Sequence, residues 1–196
     1  MKKTWIIVAI IVVVVLGVYG SIKGTYNNMV TQDEAVSTAW SNVESQYQRR
    51  ADLIPNLVST VKGYAEHERS TLEAVVAARA SATQMHVDIE DLSSESIQAY
   101  QKAQGEIGSA LGRLLAITEN YPELQANENF QTLMAQLEGT ENRINVARNN
   151  YNQTAQKLNT TLRRFPQNIL AGMFGMERRP YFEAEEGSEK APEVKF

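Results

Sequence analysis

Cysteine is absent from the 196 residues, which excludes disulfides, thiolate nucleophiles and cysteine metal ligands together. Histidine is nearly absent: only His67 and His86 occur, and they lack the spacing that puts two imidazoles on one helix turn for zinc. Glu66-His67-Glu68 gathers ligand-type groups, but adjacent helical positions do not face one another, so the stretch reads as a solvated polar face. Glycine-rich phosphate loops, nucleophile elbows and dinucleotide fingerprints are missing. The sequence therefore predicts no cofactor, no metal and no enzyme. A formal charge of -4 without a dense basic face excludes nucleic acid as a partner. Period-two alternation between glycine-bearing turns is missing too, and alanine, glutamine, glutamate and leucine fill the windows instead. The predicted class is all-α.

What is there begins with hydrocarbon. Residues 4–22 carry no charge, and "WIIVAIIVVVVL" from Trp5 to Leu16 is unbroken between Lys2, Lys3 and Lys23. About 20 such residues span a bilayer core as a helix. The expected reading is an uncleaved signal anchor over residues 1–24; a signal peptide cleaved after Val18-Tyr19-Gly20 is the competing one. Two lysines before the span against one close behind it put the amino terminus in the cytoplasm and the body outside, by the positive-inside tendency. Roughly 160 residues then remain for one domain with a real core.

Within that domain, apolar residues recur at steps of three and four. Met29, Val36, Trp40, Val43 and Tyr47 mark a first helix. Leu53, Ile54, Leu57, Val61, Tyr64, Leu72, Val75 and Val76 mark a second, reaching about Met85. "HVDIEDLSSES" supplies turn residues, with Ser93 or Ser94 as cap for a third helix carrying Ile97, Tyr100, Ile107, Leu111, Leu114 and Ile117 and stopping before Pro122. The last helix, from about Asn127 to Pro166, presents Phe130, Leu137, Ile144, Tyr151, Leu158 and Phe165 seven apart. Short connections favour an antiparallel up-and-down four-helix bundle over residues 25–182. Gly105, Gly108 and Gly112, spaced three and four apart, predict close helix approach, with local flexibility as the alternative.

The stretch "RRADLIPNL" interrupts this pattern. Proline inside a helix removes a donor and clashes with the carbonyl four residues back, costing about 3 kcal/mol. That cost vanishes if a helix restarts with Asp52 as N-cap and Pro55 in the first turn. The expectation is a helix corner at Asp52 and Pro55; a bent continuous helix is the alternative.

Charges on the apolar stripes, Asp33 and Arg50 on the first helix and Glu141 and Arg148 on the last, are costly to bury unpaired. They read as an internal charge network that fixes register, with a polar ligand pocket as the second reading. If Asn28 and Phe165 share one end of antiparallel helices, equal rise places Arg50 opposite about residue 143. That predicts an Arg50–Glu141 pair with Asp52 in the same layer. Asn142, Arg143, Asn145, Asn149, Asn150 and Asn152 are expected on the solvated face, where they could also meet a partner.

These residues carry a family resemblance. Through "YNNMV", "AWSNVESQYQRRADLIPNLVSTVKGYAEHE", Ala78-Arg79, "LLAITENYPEL", "NFQTLMAQLEGTENRINVARNNYN", "NTTLRRFP" and "MFG", the chain resembles LemA family proteins from Tyr26 to Phe182. Leu158 departs from the pattern, which usually has tyrosine there. The resemblance implies a bacterial, amino-terminally anchored antiparallel helical bundle and brings no reaction with it. Members are similar to proteins of membrane-associated organisation, including magnetosome formation, an analogy at family level.

Two further segments attract attention. An up-and-down bundle returns "FPQNILAGMFGMERRPYF" to the anchor end, setting Ile169, Leu170, Met173 and Phe174 near lipid with Arg178 and Arg179 beside them. The segment lies at the membrane interface or closes the base of the bundle. Residues 183–196 form an acidic tail expected to be disordered. Its end alternates Pro192, Val194 and Phe196 with charges, a pattern suited to strand addition on a partner and similar to the endings of LemA-like chains. Three function classes follow: a membrane-anchored interaction or scaffolding protein with protein partners or self-association, an extracytoplasmic ligand sensor, and, least supported, an enzyme with an unrecognised site.

Overall fold

The structure is a computed structural model that describes residues 2–183, without the side chains of Lys2 and Glu90. Among these residues every regular element is helical and no strand occurs. The elements are α1 (Lys2–Lys62), α2 (Arg69–Gln84), α3 (Ser94–Thr118), α4 (Pro122–Gln125), α5 (Glu128–Arg163) and α6 (Gln167–Met173), with single 3-10 turns at Glu66–Glu68 and Ile89–Asp91. By contacts the chain divides into Met1–Ala39 with Gln153–Arg179, the first unit, and Trp40–Asn152 with Pro180–Phe196, the second.

In the first unit α1 opens with the apolar run, whose side chains are exposed from Trp5 to Tyr19. This part of α1 is long and apolar enough to cross a membrane. The buried residues follow it: Met29 and Val36 on α1, Ala155, Leu158 and Leu162 on α5, and Ala171 on α6. Leu158 is an ordinary core residue.

In the second unit Ile54, Leu57 and Val61 of α1, Leu72 and Val75 of α2, Ile107, Leu111 and Leu114 of α3, and Phe130 and Leu137 of α5 form one core, joined by Leu124 of α4. Ser93 caps α3: its hydroxyl accepts from the Ser96 amide at 3.0 Å, and the Ser93 amide donates to the Ser96 hydroxyl at 2.8 Å. Pro122, expected to close α3, opens α4 at the position where a missing N–H costs nothing. Polar bonds tie the loop ends: Asn127 donates to the Tyr64 hydroxyl at 2.9 Å, and the Tyr121 hydroxyl donates to Glu68 at 3.1 Å.

Three expectations are corrected. No corner occurs at Asp52 and Pro55, because α1 runs unbroken through Pro55 and the chain turns instead after Lys62. The Ala51 carbonyl, which an N–H at position 55 would have satisfied, accepts from Arg79 Nε at 2.8 Å. A charged donor to a buried acceptor stabilises by about 1.5–3 kcal/mol, comparable with the cost of the proline. Nor do Gly105, Gly108 and Gly112 serve close helix approach, since a Cβ on any of them would meet no atom within 4 Å. The seven-residue repeat of α5 fails at its last member: the helix ends at Arg163, and Phe165 is exposed.

Candidate functional site

The polar heart of the second unit is Arg50. Its side chain is 7% exposed and donates from Nη1 to Glu141 Oε2 at 3.0 Å; Glu141 itself is 54% exposed. From Nη2 it donates to the Gln104 carbonyl at 2.8 Å and to Gln104 Oε1 at 2.9 Å, and it lies 5.1 Å from the Tyr47 ring. One fixed guanidinium fork therefore holds α1 to α3 and α5. Asp52, expected in this layer, is not: it accepts from Gln48 at 2.7 Å on the exposed side of α1. Arg148 is also engaged elsewhere, donating to the Glu183 carbonyl at 3.1 Å with its guanidinium 5.1 Å from the Phe182 ring. A cleft of about 360 Å³ lies beside these groups, bounded by Arg50, Glu141 and Arg148, with Gly105 and Gly108 keeping it open.

Next to it stands an aromatic box. Trp40 lies 5.4 Å from Tyr100 and 5.7 Å from Tyr151, and Phe182 stacks on Trp40 at 5.7 Å with 17° between planes. The backbone of Phe182 is gripped by Asn152: the Phe182 amide donates to Asn152 Oδ1 at 2.9 Å, and Asn152 Nδ2 donates to the Phe182 carbonyl at 2.9 Å. Tyr151 donates to the Pro180 carbonyl at 3.0 Å, and Gln101 to that of Glu183 at 3.0 Å. Asn152, expected on the solvated face, is therefore a half-buried clamp, whereas Asn142, Asn145, Asn149 and Asn150 are exposed.

The sequence match is now informative, because the helical core, the aromatic box and the clamped segment all fall within it: a model of the LemA family matches residues 39–196. The chain belongs to the LemA family. It is similar to magnetosome protein MamQ 2 of Paramagnetospirillum magneticum, 30% identical over 175 residues covering 81% of this chain and 64% of that protein. Magnetosome protein MamQ of Magnetospirillum gryphiswaldense is 30% identical over 174 residues, covering 80% and 64%. Protein LemA of Metamycoplasma hominis is 22% identical over 163 residues, covering 83% and 71%. The chain spans 64% of the length of the MamQ relatives.

The first unit of this LemA family member repeats the clamp. Asn159 Nδ2 donates to the Arg179 carbonyl at 2.7 Å, and the Arg179 amide donates to Asn159 Oδ1 at 2.8 Å. The Arg179 side chain forks onto Asp33, with Nε to Oδ1 at 2.9 Å and Nη2 to Oδ2 at 3.1 Å. Arg179, expected at the lipid surface, is thus committed to an internal pair. Sequence reasoning missed both asparagine clamps; Asn152 and Asn159 stand seven apart, and that spacing was the available signal.

Both histidines lie outside this network. His86 lies 3.2 Å from Asp88 and 3.9 Å from Glu44, and His67 is exposed. Burial raises the Glu44 carboxyl above its ordinary value, and the imidazole of His86 works against the rise. Burial also pushes the Tyr100 hydroxyl upward, with the Glu44 charge adding to it. Among the described residues no group of acids and histidines is arranged to hold a metal ion. Pro192, Val194 and Phe196 lie outside the described residues. Glu183, the first residue of the expected tail, is bonded through its carbonyl.

Proposed function

We propose that this LemA family member is a membrane-anchored helical interaction protein of the bacterial envelope, without catalytic activity. The apolar part of α1 is its uncleaved signal anchor, with the amino terminus in the cytoplasm. The second unit works as an up-and-down four-helix bundle, α1, α2, α3 and α5, that presents polar helix faces to protein partners. The observation that carries this reading is the continuity of α1, which joins the apolar run to the folded core in one element of 61 residues. Cleavage after Gly20 would cut inside this helix rather than through a linker. The buried polar groups support the same view, because Arg50, Gln104, Asn152 and Asn159 are bonded to other parts of the fold. The magnetosome assignment of the MamQ relatives is consistent with work at a membrane. A sensory reading draws on the open cleft beside Arg50, which has room for a small polar ligand.

Photo-crosslinkers placed at Asn142 and Asn145 in cells test the main reading. The expected result is a small set of repeated, stoichiometric protein adducts, with the full-length chain resisting alkaline extraction from membranes. Absence of adducts from both positions, with full-length chain in the membrane fraction, would remove the interaction role and leave the sensory reading.

A further inference from the structure

We infer that α6 and the residues flanking it form an anionic-lipid-binding foot on the membrane that α1 enters. The inference rests on the anchor reading above. Within the first unit α6 is amphipathic the wrong way round for water. Its buried position is Ala171, while Ile169 and Met173, one turn apart, are 54% and 72% exposed, and Phe165 is 80% exposed. Ile169 and Met173 share one helical face, and large apolar groups exposed together mark a binding face rather than scattered exposure.

Charge identifies the occupant. Residues 163–179 contain four arginines and one acid, Glu177. Arg179 is neutralised by Asp33. The side chains of Arg163, Arg164 and Arg178 are exposed and make no hydrogen bond or ion pair among the described residues. Guanidinium groups around exposed phenylalanine, isoleucine and methionine complement phosphate headgroups over an acyl layer.

Position completes the case. Phe174 packs on Tyr26 of α1, ring centroids 4.7 Å apart. Tyr26 follows Ile22, the last residue of the uncharged run, by about 6 Å of helix rise. Each headgroup layer of a bilayer is about 5–8 Å thick. The end of α6 therefore sits at headgroup depth when α1 spans.

The absence of cysteine allows a direct test in the full chain, reconstituted in nanodiscs of zwitterionic lipid with or without phosphatidylglycerol. Single nitroxides at Met173→Cys, Val12→Cys and Val146→Cys are compared for access to oxygen and to a water-soluble nickel chelate. The expected result is a deep signal at 12, an aqueous one at 146, and an interfacial one at 173 that strengthens with phosphatidylglycerol. Replacing Arg163, Arg164 and Arg178 by glutamine should abolish that lipid dependence and leave position 12 unchanged. A label at 173 as nickel-accessible as the one at 146, with 12 deep, overturns the foot and leaves the anchor standing. An aqueous signal at 12 overturns the anchor, and with it the foot as placed here. Dipolar broadening at 173 with no lipid dependence would assign the face to a second copy and also overturn the foot.

Discussion

Asn159 in the first unit and Asn152 in the second make the same pair of hydrogen bonds to a backbone amide and carbonyl, yet deliver different side chains. In the first, the gripped residue is Arg179, whose guanidinium goes to Asp33. In the second it is Phe182, whose ring enters the box of Trp40 and Tyr151. An amide side chain that pairs with a peptide group reads no sequence, so the clamp fixes position and the delivered side chain sets the energy.

The comparison orders the expected losses. Phe182→Ala should cost most, about 3–5 kcal/mol, as for other buried phenylalanines, read as unfolding of the full chain in one detergent. A loss below 1 kcal/mol would mean that the box closes without it. Asn159→Ala and Asn152→Ala should come next, about 1–3 kcal/mol each, because each strands a backbone donor and acceptor. Asn159 is the more buried of the two and should lose more; the reverse order would break the parallel between the clamps. Arg79→Met tests side-chain service to a backbone acceptor elsewhere: it should cost about 1.5–3 kcal/mol, and clearly less in a Pro55→Ala background, where the helix supplies its own donor. Simple additivity would reject the compensation. Asp33→Asn should cost least, about 0–1 kcal/mol, and the loss should shrink with added salt; a large, salt-independent loss would place this pair beside Phe182 rather than below it.

The same contrast explains what could be read in advance. Apolar stripes and caps are local, so Met29, Trp40, Ile107 and Ile144 emerge as core, and the cap of α3 narrows to Ser93 or Ser94, of which Ser93 is the one used. Arg50 and Glu141 were placed near each other by counting along two antiparallel helices. Pro55 was misjudged because its compensation arrives from Arg79, 28 positions after the Ala51 carbonyl that it serves, and no local rule carries that information. The clamps were missed for a related reason: beyond the seven-residue spacing of Asn152 and Asn159, their partners at 179 and 182 are backbone groups, which leave no pattern of residue types. Phe165 kept the seven-residue spacing but lies beyond the helix that gives such spacing its meaning.

The stacking of Phe182 on Trp40 also sets a clock. At about 5–20 residues per second, the ribosome adds Phe182 roughly 7–30 s after Trp40, so the nascent chain carries Trp40 without its stacking partner for that whole interval. Helices can form and pair during it, but Trp40 and Tyr151 lack the ring that covers them until synthesis reaches the clamped segment. The stage at which this protein most needs shielding from aggregation is therefore the pause before its last aromatic partner arrives.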